Sequence, residues 1–226
     1  MARGSWHTPD MVAFKSGRRV TVVALVIVAL VAALVFVYIV RRGSDSEPAD
    51  TASDGLHGPL CDALPAGDDP GGPEQLAGLD AAVVLTWIPV LTIFEASTRA
   101  AGLTKELADS DGLTIFAPSD DALLLTLGQE TLDDLIIFRN AELRQLLESH
   151  IVDESLTLRD LAAVGEVTTR AGDTVAVVAA GDEVRLGEQA HVVCGNYRVA
   201  NGTIHVIDAV LGELPAPAEP GQPVSG

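Results

Sequence analysis

The sequence predicts an α+β domain, a mainly antiparallel sheet with a helical flank, preceded by one transmembrane helix. Three observations carry this. Residues 20–40 form an uncharged apolar run. Beyond it, one short strand pattern and several capped helical patterns fill the first half of the patterned chain. The second half changes period, to short β-branched segments separated by Gly-containing turns. An early strand, then helices, then a run of strands is the signature of α+β, or of a β-wedge with helices packed against it.

The apolar run, Val20 to Val40, is 21 residues long. At about 1.5 Å per residue it reaches roughly 31 Å, the thickness of a bilayer's hydrocarbon core. It is longer than a signal peptide's apolar region, and it ends in Tyr-Ile-Val-Arg-Arg with no small-x-small site close behind. Cys61 follows Gly-Pro-Leu about twenty residues later, which does not fit a lipidation signal. An uncleaved anchor is therefore expected. Arg3, Lys15, Arg18 and Arg19 precede the run, whereas Arg41 and Arg42 are soon followed by acids. The positive-inside bias places residues 1–19 in the cytoplasm and everything after the span outside.

Residues 41–59, rich in Gly, Ser, Asp, Pro and Ala, read as an extracytoplasmic tether. Residues 215–226, with four prolines, read as a disordered tail. Residues 60–214 lie between, enough for one core, with no internal repeat. The net charge is −18, and from Gly43 on there are 31 acids against eight bases. Such a domain repels nucleic acid and anionic lipid. With nine aromatic residues in the chain and scattered bases, no nucleic-acid partner is expected.

Within the domain, Pro89 is expected to open a helix with Val90, Ile93, Phe94, Ser97 and Ala101 on one face. Asp111-Gly112 marks a turn before the strand Leu113 to Ala117, stopped by Pro118. Ser119 is suited to N-cap Asp-Asp-Ala-Leu-Leu-Leu, whose acids complement the helix dipole. Thr131, with Asp134 three residues on, is expected to cap a further helix, and Asn140 another bearing Leu143, Leu146 and Leu147. Thr157 caps Leu-Arg-Asp-Leu-Ala-Ala-Val, and Gly165 ends it. Five strand-like segments come next, between residues 167 and 208, spaced for hairpins.

Two cysteines outside the membrane, Cys61 and Cys194, favour a disulfide over a pair of free thiols. A bridge closing so long a loop contributes at most roughly 4–5 kcal/mol by chain-entropy arithmetic. No C-x-x-C or H-E-x-x-H spacing is present, so no metal or cofactor is expected.

His150, His205 and Asp208 are the polar residues set among apolar ones. An offset of three puts His205 and Asp208 on opposite faces of a straight strand. With Ser119, Ser149 or Ser155 a hydrolase triad is imaginable, but no G-x-S-x-G surrounds any serine. The expectation is structural: each imidazole nitrogen is tied to a carbonyl or carboxylate, locking sheet to helices. Asn201-Gly202-Thr203 matches a glycosylation acceptor, but Asn-Gly directly before a strand reads first as a hairpin turn.

Three stretches resemble the fasciclin-type domain family: Thr114 to Leu123, Leu146 to Val152 and Asn201 to Leu211. The Gly-Pro-Leu-Cys and Val-Val-Cys-Gly stretches are most similar to the secreted and lipid-anchored mycobacterial antigens of that family, in which the two cysteines are bridged. Ser149 departs from the family's usual aromatic before the histidine. The resemblance implies a β-wedge with a helical flank. It also implies a non-enzymatic adhesion or binding module whose partner is a protein or polysaccharide of the cell envelope or matrix, with ligand-binding residues unknown. Scarce Lys beside abundant Arg, Ala and Val fits a GC-rich, actinobacterial genome. The alternative is a sensor signalling through the span; the remote alternative is a hydrolase.

Overall fold

The computed structural model describes residues 55–181 and 183–216. The expected span, the N-terminal segment, residues 41–54 of the tether and residues 217–226 of the tail lie outside them. Among the described residues no helix is long and apolar enough to cross a membrane.

The described residues form seven α-helices and seven strands. The helices are α1 (Pro73–Leu76), α2 (Ala81–Leu85), α3 (Thr92–Ala100), α4 (Thr104–Asp109), α5 (Asp120–Ile137), α6 (Asn140–Glu148) and α7 (Leu158–Val164). The strands are β1 (Leu113–Pro118), β2 (Ile151–Val152), β3 (Glu166–Thr168), β4 (Thr174–Ala180), β5 (Glu183–Leu186), β6 (Ala190–Val199) and β7 (Gly202–Ile207). They form one mixed sheet in the order β2-β1-β7-β6-β5-β4-β3. All these pairings are antiparallel except that of β1 with β7. There the strands run parallel, from Leu113 opposite Gly202 to Pro118 opposite Ile207. The sheet is therefore mainly antiparallel, as expected, but mixed through this one parallel pair. Hairpin spacing is local, whereas β1 finds its partner near the other end of the chain.

Both faces of this parallel pair are covered. Ile115, Ile204 and Val206 join a large core with Phe94, Leu103, Leu107, Leu135 and Leu147. Phe116 and Ile207 join a smaller core with Leu156, Leu161, Val175 and Leu186. Coverage on both sides leaves β1 and β7 without an exposed residue, while β4 alternates between exposed and buried through its first four residues.

Local signals set most boundaries, with three corrections. The helix expected from Pro89 starts at Thr92 instead, after a turn in which Leu91 N–H donates to Ile88 O (3.1 Å). Thr131 caps nothing. The chain breaks at Gly128, whose φ of 73° needs a residue without Cβ, and Thr131 lies buried inside the second part of α5. Asn140 does not cap α6 through its side chain; its Nδ2 donates to Ile136 O (2.8 Å) and closes α5. Ser119 accepts from Ala122 N–H (3.2 Å) and Thr157 caps α7, both as expected, and Asp160 completes a reciprocal capping box with Thr157.

The last residues assigned to the tether are part of the sheet. His57 and Gly195 exchange backbone hydrogen bonds (3.2 and 2.7 Å), and Leu60 N–H donates to Val193 O (2.8 Å). They occupy the edge that β6 leaves open after its short pairing with β5 at Leu186–Ala190 and Arg185–His191. The Cys61–Cys194 disulfide fastens this segment, its Cα atoms 5.0 Å apart.

Candidate functional site

The residues with the strongest chemical potential are the two buried histidines. His150 follows α6 and His205 stands in mid-β7; they are 1% and 0% exposed. His150 Nδ1 lies 2.8 Å from Leu146 O, and its Nε2 accepts from Leu211 N–H (2.9 Å). Its proton is therefore on Nδ1. His205 has the opposite tautomer: Nε2–H donates to Leu156 O (2.9 Å), and Nδ1 accepts from Asn196 N–H (3.2 Å). Phe94 meets the His150 ring edge-on at 6.1 Å, and Phe116, opposite His205 in the parallel register, stacks on its ring at 5.9 Å. Burial pushes both imidazoles down to about 4, against a weaker upward pull from their backbone carbonyl partners. At neutral pH both rings are uncharged, and every nitrogen is engaged.

Asp208 is placed differently from the sequence expectation of a buried residue. It follows β7 and is exposed. Its Oδ1 accepts from His191 N–H (2.7 Å), and Oδ2 lies 3.3 Å from His191 Nδ1. It clips the start of β6 and does not meet His205. The three serines considered for a triad are also apart from the imidazoles. Ser119 caps α5, Ser149 Oγ–H donates to Asp173 Oδ2 (3.0 Å), and Ser155 Oγ is 3.4 Å from Thr203 Oγ1. Ser149 is buried where Gly212 passes; a Cβ on Gly212 would lie 2.5 Å from its Oγ, so the small side chain leaves room for the backbone. Among the described residues no cluster of three His, Cys, Asp or Glu is arranged to hold a metal ion.

Four polar residues whose long-range role sequence reasoning missed complete the framework. Asn196 has a φ of 66° at the β6 bulge; its Oδ1 accepts from Leu158 N–H at the start of α7 (2.9 Å), and its Nδ2 donates to Gly55 O (3.2 Å). Asn201 Oδ1 accepts from Ala81 N–H at the start of α2 (2.9 Å), while Nδ2 donates to Leu107 O near the end of α4 (2.7 Å). Thr114 Oγ1 donates to Glu154 O (2.6 Å) and accepts from Leu156 N–H (2.8 Å). Asp120 caps α3 from 27 residues away, accepting from Ile93 N–H (2.8 Å) and Thr92 Oγ1–H (2.6 Å). The only sequence signal was the residue type, since Asn, Asp and Thr favour local backbone bonds. Here their partners are distant in the chain.

Outside this framework the surface carries shallow hollows. One, of about 600 Å³, lies between the start of α5, the Pro89–Val90 turn, Pro59–Leu60 and Val193 of β6. Another, of about 610 Å³, lies at the opposite end of β1 and β7, beside Ser155, Thr157 and Arg198.

Comparison with known proteins agrees with this geometry. The fasciclin domain family model matches residues 89–213. Immunogenic protein MPB70 of Mycobacterium bovis is 32% identical over 174 residues, 74% of this chain and 86% of that protein. Protein sll1483 of Synechocystis is 31% identical over 117 residues, 51% of this chain and 63% of that protein. Among solved structures, a FAS1 domain pair from the insect cell adhesion molecule fasciclin I matches with a TM-score of 0.54 at 18% identity, over 60% of this chain and 51% of that one. The chain thus spans less than two thirds of the cyanobacterial relative and about half of the insect domain pair.

Proposed function

Because the chain belongs to the fasciclin domain family, we propose that it is an extracytoplasmic binding or adhesion module. Residues 20–40 hold it at the cell membrane, and its partner is a protein or polysaccharide of the cell envelope. The observation that carries this reading is how the polar groups are used. Both buried imidazoles and the Asn196 and Asn201 amides are engaged within the fold, which leaves the exterior for recognition. The insect structure's description as a cell adhesion molecule supports the same direction. On this reading the protein is not an enzyme: a general base needs a free nitrogen within reach of a substrate, and these rings offer none.

The test is retention of the purified full-length chain on immobilised envelope protein and envelope polysaccharide fractions. Saturable retention on one fraction, lost when the chain is heat-unfolded, is expected. Equal retention of folded and unfolded chain, or of neither, overturns the reading.

A further inference from the structure

The groove at the start of α5 has the features of a preformed docking site. Its floor is made of Leu60, Val90 and Val193, each only partly buried. Pro59 and Pro89 form part of its walls; neither has a backbone N–H, so they present apolar surface at fixed backbone geometry. Leu125, one helical turn after Asp121, is 86% exposed. A leucine so placed adds nothing to the core on which it stands. The floor is also held rigid. Leu60 N–H bonds to Val193 O (2.8 Å), the adjacent Cys61 and Cys194 are bridged, and Asp120 N–H bonds to Val90 O (2.8 Å). Ordering such a site on binding loses little conformational entropy.

Three carboxylates line the groove: Asp121 is exposed, while Asp120 and Asp208 keep their charge as they accept from Ile93 and Thr92 and from His191; among the described residues no Lys or Arg lines it. The His191 ring lies beside Asp208 there. An apolar floor with an acidic rim selects an apolar side chain carried between basic residues. It disfavours an anionic polysaccharide. We propose that this groove docks a segment of a partner protein that presents an apolar anchor flanked by Lys or Arg. The proposal rests on the reading of the chain as a binding module and names the class of partner.

The test uses the full-length chain with labelled Leu and Val methyl groups. It is titrated with a short Lys-flanked Leu-Ile peptide, its Glu-flanked counterpart, a Lys-flanked Ser-Ser version and envelope polysaccharide. Saturable shifts at Leu60, Val90, Leu125 and Val193 with the first peptide are expected, weakening as salt is added. Affinity should fall about tenfold or more for the Glu-flanked and Ser-Ser peptides, and for the Leu125→Glu and Asp121→Lys chains, both altered at exposed positions. Absence of saturation, equal binding of the Glu-flanked peptide, or the same shifts with polysaccharide overturns the proposal. If the Leu125→Glu chain is still retained on envelope fractions while the peptides fail, the groove assignment falls and the binding-module reading stands. If the unaltered chain is retained on nothing, that reading falls first.

Discussion

At the residue scale, the imidazoles make stability depend on pH in a window set by their burial. Folded, each titrates near 4; free, each titrates near its ordinary 6.5. The unfolded chain therefore binds more protons between these values. The histidine contribution is complete above about 6.5, declines as pH falls, and is gone below about 4. The shifts correspond to at most about 3 kcal/mol per ring. Chemical denaturation from pH 8 to 4 should show the midpoint falling already between 6.5 and 5, above the range in which carboxylates titrate. A flat midpoint there would contradict the neutral assignment. Removing His205 as Ala leaves Leu156 O and Asn196 N–H unpaired and a void beside Phe116. A loss of about 2–4 kcal/mol, with a reduced pH slope, is expected. Asn201→Ala removes bonds to both α2 and α4 and should destabilise by about 2–3 kcal/mol. The positions of the histidines were legible in the sequence because they interrupt apolar runs. Their partners were not: all four are backbone groups, three of them in other segments, and a backbone group has no residue-type signature.

At the scale of elements, what was legible was whatever a few adjacent residues decide. Ser119, Thr157 and Gly165 mark helix ends through bonds and dihedrals within four residues. Asn201-Gly202 shows the limit of that logic. The Asn-Gly pair predicts a tight turn, and β6 does return to β7 there, with Val199 opposite Gly202. Yet among the described residues the only non-glycine residue with positive φ is Asn196, and Gly202 is not among the positive-φ glycines. Its small size serves another purpose. A Cβ on Gly202 would stand 2.0 Å from Leu113 O, because β1 and β7 meet at that point. Gly202→Ala must therefore push the parallel pair apart, and loss of the cooperative unfolding transition is expected. Gly165→Ala, strained in φ but in open space, should cost only about 1 kcal/mol. Similar transitions for the two variants would refute the steric reading. The disulfide belongs to this scale too. It joins positions 133 apart and fixes the incoming segment on β6. Replacing both cysteines by serine should lower stability by up to about 4–5 kcal/mol while leaving β1–β7 pairing intact.

At the scale of the whole molecule, the sequence made the fold class legible but not the position of β1 inside the sheet. Periodicity marks a strand without naming its neighbour. The parallel register of β1 with β7 closes most of the domain into one loop, and the disulfide closes a longer one that overlaps it. A disulfide of this kind persists most readily in an oxidising compartment, which is the side of the membrane proposed for the domain. The proposed orientation also follows the charge pattern, since bases cluster before residue 20 and acids dominate after residue 43. Protease added to intact cells should degrade the domain while an epitope fused before Met1 stays protected until the membrane is permeabilised. In the same cells Cys61 and Cys194 should resist thiol alkylation unless reductant is supplied. An accessible N-terminal epitope together with alkylatable cysteines would reverse the orientation and place the groove where no envelope partner can reach it. Protection of the epitope with unreactive cysteines leaves Leu125 facing outward on a stapled scaffold, available to a partner.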